Sequence, residues 1–285
     1  MPWTQATRAQ YRPASLGEAS ELYDTQWAQL APLLPPPAPR GRPRTTDLRR
    51  VVEALLYVLG TGCQWRSLPR GPYPPFTTVQ GYVSAWRRSG LWQRLREHLV
   101  ARARAAQGRA EAPSAGVIDT QSVPATESGG VRGLDPAKRI KGRKRHLLTD
   151  TNGLPLAIQV HAANVQDVHG AVPLLLAAGA RWPGLRLVFA DRVYRGAGLL
   201  RALAAGGQAG WRVEIVARPP GVKGFALLPR RWVVERTFAW LNRCRRLAKS
   251  HERLVENEAA WIELATIRLV TRRLARHHPT STSPI

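Results

Sequence analysis

Cysteine, methionine and acidic side chains are scarce in this chain of 285 residues, which holds 2 Cys, 1 Met and 19 Asp plus Glu. With only Cys63 and Cys244, neither a disulfide scaffold nor a cysteine-built zinc site is available. A reducing cytoplasm is the expected setting. No apolar run approaches the roughly 18–20 residues of a membrane span. Residues 1–20 hold no apolar stretch suited to a secretory signal. The shortage of acids faces 43 Lys plus Arg, 38 of them Arg, for a net charge of +24. A polyanionic partner is the simplest reason for such an excess. Nucleic acid leads, because each neutralised phosphate releases a condensed counterion. The excess is spread, with 16 basic and 7 acidic residues in 1–115 and 27 and 12 in 116–285, so both halves are expected to touch nucleic acid. What is present in quantity is ordinary: 44% hydrophobic residues, as in globular proteins. The length suits one large domain or two modest ones.

Residues 1–20 read as a flexible arm, followed by a helical domain over 21–106. Trp27, Leu30, Leu33 and Leu34 predict a helix over 23–34, capped by Thr25 or Asp24 and ended by Pro35, Pro36 and Pro37. The basic turn Arg40-Gly41-Arg42-Pro43-Arg44 leads to a second helix over 47–59, stopped by Gly60-Thr61-Gly62. A Pro-rich loop precedes helices over 78–89 and 91–106. Four short helices with tight turns and positive charge suggest a helix-turn-helix-like domain, with a generic helical bundle as the alternative. Residues 107–115 read as a linker. Beyond it, Val117-Ile118 is a strand closing on Asp119. A hairpin pairs 146–149 with 156–160 around Thr151-Asn152-Gly153. Strands over 185–190 and 211–217 alternate with helices over 167–178, 198–205, 229–247 and 257–275. This order makes 116–276 an α/β domain, one mixed sheet covered by helices. Residues from 277 onward read as a disordered tail.

Asp119 and Asp191 each close an apolar strand, the edge where ligands gather in open α/β sheets. Glu235 lies in an apolar helical stretch with Trp232, Val233, Val234, Phe238, Trp240 and Leu241, so its charge needs a cation or a metal. Three carboxylates without Cys or a regular His cluster suit a hard cation, Mg²⁺ or Mn²⁺. Two such ions serve phosphodiester chemistry by activating the attacking oxygen and stabilising the leaving one. Each acid also has a local explanation. Asp119 would cap a turn through Thr120–Ser122, Asp191 the helix after it, and Glu235 would pair with Arg231 or Arg236. Asp150, before the hairpin turn, and Asp167, a natural N-cap, are set aside as decoys.

Long stretches of the chain resemble a known family. They are Asp119-Thr-Gln-Ser-Val123, Ile140-Lys-Gly-Arg-Lys-Arg-His146, His161-Ala-Ala-Asn-Val-Gln-Asp167 and Leu228-Pro-Arg-Arg-Trp-Val-Val-Glu-Arg-Thr-Phe-Ala-Trp-Leu241. In the N-terminal half they are Trp27 with Pro32-Leu-Leu-Pro35, Gly41-Arg-Pro-Arg44 and Thr61-Gly-Cys-Gln-Trp-Arg66. Together they resemble the insertion-sequence-five family of bacterial DDE transposases over about 23–276. The resemblance implies a ribonuclease-H-like catalytic domain whose triad falls on Asp119, Asp191 and Glu235. It implies Mg²⁺ or Mn²⁺, two ions, and double-stranded DNA as partner, both element ends and target. Ends would be cut by hydrolysis and the freed 3′-hydroxyl joined to target DNA, without a covalent protein–DNA intermediate. A homodimer or higher assembly on DNA is implied as well, in a cytoplasmic, nucleoid-associated protein with no membrane and no small-molecule substrate.

Two departures stand out. Arg192 and Val193 occupy positions where the family has small glycine-like residues, so a guanidinium either contacts the scissile phosphate or binds Asp191 against the metal. On the last catalytic helix Arg231 matches a family Arg, while Leu228 and Asn242 stand for its Tyr and Lys. Hence two alternatives: an inactive end-binding descendant, or a metal nuclease without strand transfer. Expected DNA contacts are Lys138, Lys141, Arg143, Lys144 and Arg145 beside the hairpin, together with Arg231, Arg243 and Arg246. Arg40, Arg42 and Arg44 resemble a minor-groove hook or form a basic turn. Arg87 and Arg88 end the candidate recognition helix, with Thr77, Thr78, Gln80, Tyr82 and Ser84. Most of the ten Trp, including Trp27, Trp232 and Trp261, read as core.

Overall fold

The computed structural model describes residues 22–37, 39–41, 43–217, 228 and 230–277. The expected arm and all but the first residue of the expected tail lie outside these. Among the described residues four helices come first: α1 Asp24–Leu30, α2 Leu48–Thr61, α3 Phe76–Arg88 and α4 Leu91–Ala105. α1 is shorter than its apolar spacing predicts, and residues Ala31–Leu33 tighten into a 3-10 turn before the prolines. Neither expected residue caps it. Tyr23 does, and the Gln26 side chain accepts from the Tyr23 backbone N–H at 3.2 Å, while Asp24 pairs with Arg49 at 2.7 Å. α2 follows expectation: Asp47 accepts from the Arg49 backbone N–H at 2.8 Å, and Gly62, at φ +71°, supplies the left-handed turn that ends it.

Six strands then build one mixed sheet. They are β1 Ala115–Pro124, β2 Gly133–Asp135, β3 Ile140–Asp150, β4 Pro155–Ala162, β5 Leu187–Ala190 and β6 Arg212–Ile215. β1 and β4 flank β3 antiparallel, β2 continues the β4 edge of β3, and β1, β5 and β6 run parallel. Gly153, at φ +82°, closes the expected β3–β4 turn. β2 was not foreseen. Helices α5 Asp167–Arg181, α6 Ala197–Ala205, α7 Arg231–Leu241 and α8 Val255–His277 cover the sheet. α7 stops six residues short of its expected end, because the chain re-forms as a 3-10 turn, Arg245–Leu247, whose Leu247 carbonyl accepts from Arg145 at 2.7 Å.

One apolar cluster runs from Leu22 to Leu274, so the helical segment and the sheet share a core. α8 packs against α1, α2, α3, α4 and β4. Charges cross the same contact. Buried Arg96 on α4 holds Glu263 of α8 at 2.6 Å, and buried Asp150 takes both Arg104 and, at 2.8 Å, Arg109.

β3 corrects the reading of the basic run. Arg143, Lys144 and Arg145 are buried within a strand rather than displayed before one. Side chains alternate across a strand. Arg143 and Arg145 meet Glu258 of α8 at 3.0 and 2.7 Å, and Lys144 meets Asp167 of α5 at 2.6 Å. Their charges are spent inside the protein, so they do not form a phosphate track. Asp167 is the first residue of α5 rather than its cap, which is Gln166.

His146, fully buried on the Lys144 face, holds His161 at 2.8 Å through Nδ1 and the Asp167 carbonyl at 3.0 Å through Nε2. Burial, then the neighbouring His161, pushes its pKa down to about 3. Between pH 6.5 and 3 the unfolded chain takes up a proton that the folded chain refuses, so stability falls with pH across that window. The expected loss is about 3 kcal/mol between pH 6.5 and 4. Urea midpoints across this range should fall more steeply for the wild type than for His146→Gln; parallel curves would count against a neutral buried imidazole.

Candidate active site

The parallel ladder of β1 and β5 sets the first two carboxylates. It pairs Ala115 with Leu187 and Val117 with Phe189, and two further residues along each chain reach Asp119 and Asp191. Both therefore stand at one level of neighbouring parallel strands, which lie about 4.8 Å apart. Asp191 directly follows β5, as expected. Asp119 does not end its strand, because β1 runs on to Pro124 in pairing with β3. Thr120 and Ser122 keep that extension polar yet buried: Thr120 Oγ1 donates to Asp167 at 3.1 Å and Ser122 Oγ to Asp135 at 2.6 Å. α7 packs on β1 and β3 and carries Glu235.

Each carboxylate is held locally. Asp119 accepts from the Thr120 backbone N–H at 2.8 Å, Asp191 from the Val193 N–H at 2.9 Å, and half-exposed Glu235 from Arg231 at 3.0 Å. Their fields nevertheless overlap. Burial first, and then the charges of Asp191 and Glu235, push the Asp119 carboxyl up to about 6, against the Thr120 hydrogen bond and the Arg231 guanidinium. The Arg231 guanidinium thus acts on both Asp119 and Glu235. The Tyr194 hydroxyl is buried and has no hydrogen-bond partner among the described residues; burial first, and then the charges of Asp167, Asp119 and Asp191, raise its pKa well above the usual range.

Among the described residues no three His, Cys, Asp or Glu side chains are gathered closely enough to hold a metal. Like charges separate, and each of the three acids finds its own hydrogen bond. The donor set still fits a hard cation. It is all oxygen, under-compensated in charge, and accompanied by an orphaned hydroxyl.

Around this centre Lys138 is exposed and donates to the Thr120 carbonyl at 3.3 Å, and Lys141 is exposed. Arg192 is exposed and, among the described residues, makes no ion pair with Asp191. Arg243 is exposed. Arg246 corrects its expectation: it pairs with Glu252 and stacks 5.4 Å from the Trp261 ring centroid, which takes it out of a DNA track. Arg40 is exposed, Arg44 donates to the Pro35 carbonyl at 2.9 Å, and Arg42 lies outside the described residues. Arg88 is exposed, while half-buried Arg87 keeps a buried Nε without a partner among the described residues. On α3, Gln80 and Ser84 face a small cavity shared with Trp261 of α8 rather than open solvent.

Three features escaped the sequence reading. Thr120 and Asp167 brace the Asp119 strand, and Tyr194 needed the chain reversal after Asp191. Trp232, read as core, instead stacks on Arg236 with Trp240 on the other side, at 4.3 and 4.6 Å. The Trp-Arg-Trp spacing of four residues was the available signal.

Residues 110–270 match the family described as "Transposase DDE domain", and residues 22–96 match "Putative transposase of IS4/5 family". A relative described as "Putative transposase for insertion sequence element IS402", from Burkholderia cepacia, is 37% identical over 153 residues, covering 50% of this chain and 70% of that protein. "Insertion element IS402 uncharacterized 16.2 kDa protein", from the same organism, is 34% identical over 118 residues, or 40% and 79%. No solved structure matches. The chain belongs to the DDE transposases of the IS4/5 family.

Proposed function

We propose that this transposase binds the inverted repeats at the ends of an insertion element, cuts there by hydrolysis and joins the freed 3′-hydroxyl to target DNA. The observation that carries the proposal is the β1–β5 ladder that sets Asp119 level with Asp191, with Glu235 on α7 packed against β1, in a stretch that matches the DDE domain. The strand order, three antiparallel strands followed by two parallel ones, supports a ribonuclease-H-like reading of the catalytic domain. Asp119, Asp191 and Glu235 would hold Mg²⁺ or Mn²⁺, which would supply activation of the attacking oxygen and stabilisation of the leaving one.

The chain's own residues prepare the rest. The Thr120 N–H aims the Asp119 carboxylate, and the Val193 N–H aims that of Asp191. Arg231 holds Glu235 until a stronger cation replaces it. Lys138, which donates to the Thr120 carbonyl, and Arg192, next to Asp191, face solvent beside the centre and take phosphate oxygens, while Lys141 offers a contact farther along β3. In the first displacement a water oxygen bonds to phosphorus and the 3′-oxygen leaves with a proton. In the second that 3′-hydroxyl bonds to a target phosphorus and a target 3′-oxygen leaves. A dimer on DNA would bring both ends to one target.

Mg²⁺-dependent nicking of a duplex carrying the flanking inverted repeat tests the proposal. Cutting at the element boundary, lost in Glu235→Gln, is expected; binding without cutting in Mg²⁺ or Mn²⁺ would favour the inactive end-binding alternative. The exposed Arg192 supports a phosphate contact over competition for Asp191. Arg192→Ala should therefore slow cleavage by about 10-fold, the size of one missing charged hydrogen bond. Faster cleavage in Arg192→Ala would mean that the guanidinium obstructs the metal.

A further inference from the structure

Asp167 reads in the sequence as a helix cap, yet in the fold it reaches the strand that carries Asp119. The β1–β3 register sets Thr120 opposite His146 and Ser122 opposite Lys144, so both hydroxyls and both basic side chains share one face of the sheet. Asp119, one residue earlier, belongs to the other face. On the shared face the Thr120 hydroxyl donates to one Asp167 oxygen at 3.1 Å, and the Lys144 ammonium donates to the other at 2.6 Å. Lys144 is buried and also donates to the Val165 carbonyl at 2.8 Å. Ser122 makes a separate bond, to Asp135 at 2.6 Å, and Asp135 is held by the Ala137 and Lys138 N–H groups at 3.1 Å.

The seat of Asp167 is rigid. Asp167 begins α5, which packs on β3, on β4 and on the turn Arg192–Tyr194 that follows Asp191. The Asp167 carbonyl meets His146 Nε2 at 3.0 Å. One turn on, Gly170 lies so close to the His146 and His161 rings that a Cβ there has no room, which seats the start of α5 directly on the pair. Among the charges acting on the buried Tyr194 hydroxyl, that of Asp167 comes first, ahead of Asp119 and Asp191. Asp167 therefore stands close to both segments that carry catalytic aspartates.

We propose that Asp167, held by Lys144, is a positioning residue of the metal centre: through the Thr120 hydroxyl it fixes the peptide whose N–H aims the Asp119 carboxylate. The inference rests on the metal-dependent DNA cutting proposed above and adds what sets the aim of its first carboxylate. Because Asp119 and Thr120 lie on opposite faces, Asp167 acts through the backbone and touches neither metal nor DNA. The Thr120 N–H meets the Asp119 carboxylate at 2.8 Å, and a bond of that kind is directional, so a turned peptide would turn the carboxylate with it. Outer partners that orient a metal ligand are typically worth about 10–100-fold in metal affinity or activity.

The test uses the full chain and two readouts: Mn²⁺ binding without DNA, followed by the electron paramagnetic resonance of the free ion, and Mg²⁺-dependent cutting of a duplex carrying the flanking inverted repeat. Thr120→Val keeps the shape and the backbone N–H but removes the hydroxyl. It should bind Mn²⁺ roughly 10-fold more weakly and need about 10-fold more Mg²⁺ for half-maximal cutting, with DNA binding within a few-fold of the wild type. Thr120→Ser restores the donor and should recover both. Ser122→Ala loses a buried hydroxyl bond of the same kind three residues beyond Asp119, so it should melt lower while binding Mn²⁺ and cutting as the wild type does. The inference is overturned if Thr120→Val and Ser122→Ala weaken Mn²⁺ binding equally, which is what a general loosening of β1 would do, or if Thr120→Ser fails to recover it. A wild type that cuts beside an equally competent Thr120→Val overturns the positioning role alone. A wild type that binds no Mn²⁺ and cuts no DNA overturns the DNA-cutting role, and this inference with it.

Discussion

Asp119→Asn should abolish Mg²⁺-dependent cutting, by at least about 10³-fold, while end binding stays within a few-fold of the wild type. The size of the loss follows from the position of the group. Asp119 is the carboxylate that feels both Asp191 and Glu235, and the most buried of the three. The neutral amide keeps the shape and the Thr120 hydrogen bond but withdraws the charge that would hold a metal. A second readout separates this role from a structural one. Without metal at pH 8 the buried charge opposes folding, because its folded pKa is raised: the stability it costs is absent below about pH 4 and fully present above 6. The variant should then melt several degrees higher than the wild type at pH 8, and at the same temperature near pH 4. Adding Mg²⁺ should raise the wild type and leave the variant where it was. If the variant melts lower and loses DNA binding along with cutting, Asp119 is a piece of β1 and no more.

What could be read from the sequence divides along local and distant causes. The start of α2 near Asp47, its end at the Gly60-Thr61-Gly62 stretch and the Asn152-Gly153 hairpin depend on residues within a few positions of one another, and each formed close to where it was expected. Asp191 at the end of β5 is local too. The length of β1 is not, since Thr120 and Ser122 look like loop residues until Asp167 and Asp135 arrive to accept their hydroxyls. Nor could the spacing of carboxylates 119, 191 and 235 show which of them face one another; the parallel pairing of β1 with β5 sets Asp119 level with Asp191, and α7, packed on β1, carries Glu235. The helical stripe of Trp232, Arg236 and Trp240 was visible as a stripe, but periodicity does not say whether a face meets the core or a groove. The basic run misled for the same reason. Charge density is legible in residues 138–145, whereas the acid that neutralises Arg143 and Arg145 lies more than a hundred residues on.

That acid gives the largest stability effect. Glu258→Ala should destabilise the protein by about 3–5 kcal/mol, the usual cost of leaving a buried charge without its partner. Glu258 accepts from Arg143 Nη1 at 3.0 Å, from Arg145 Nε at 2.7 Å and from the Ser250 hydroxyl, and all four residues are buried. Removing one carboxylate strands two guanidinium groups between β3 and α8. Against a total stability of about 5–15 kcal/mol, the variant should melt roughly 10 °C or more lower, or fail to accumulate. Replacing all three charges, as Arg143→Met/Arg145→Leu/Glu258→Met, should recover most of the loss, because the desolvation cost leaves with the charges. DNA binding decides between the two uses of β3. The rescued triple variant should keep the salt slope of the wild type, whereas Lys141→Ala, on the exposed start of the same strand, should lower the slope by about 1 without touching stability. A triple variant that folds but binds DNA with a slope reduced by about 2 would return Arg143 and Arg145 to the DNA interface, and would require β3 to open when DNA binds.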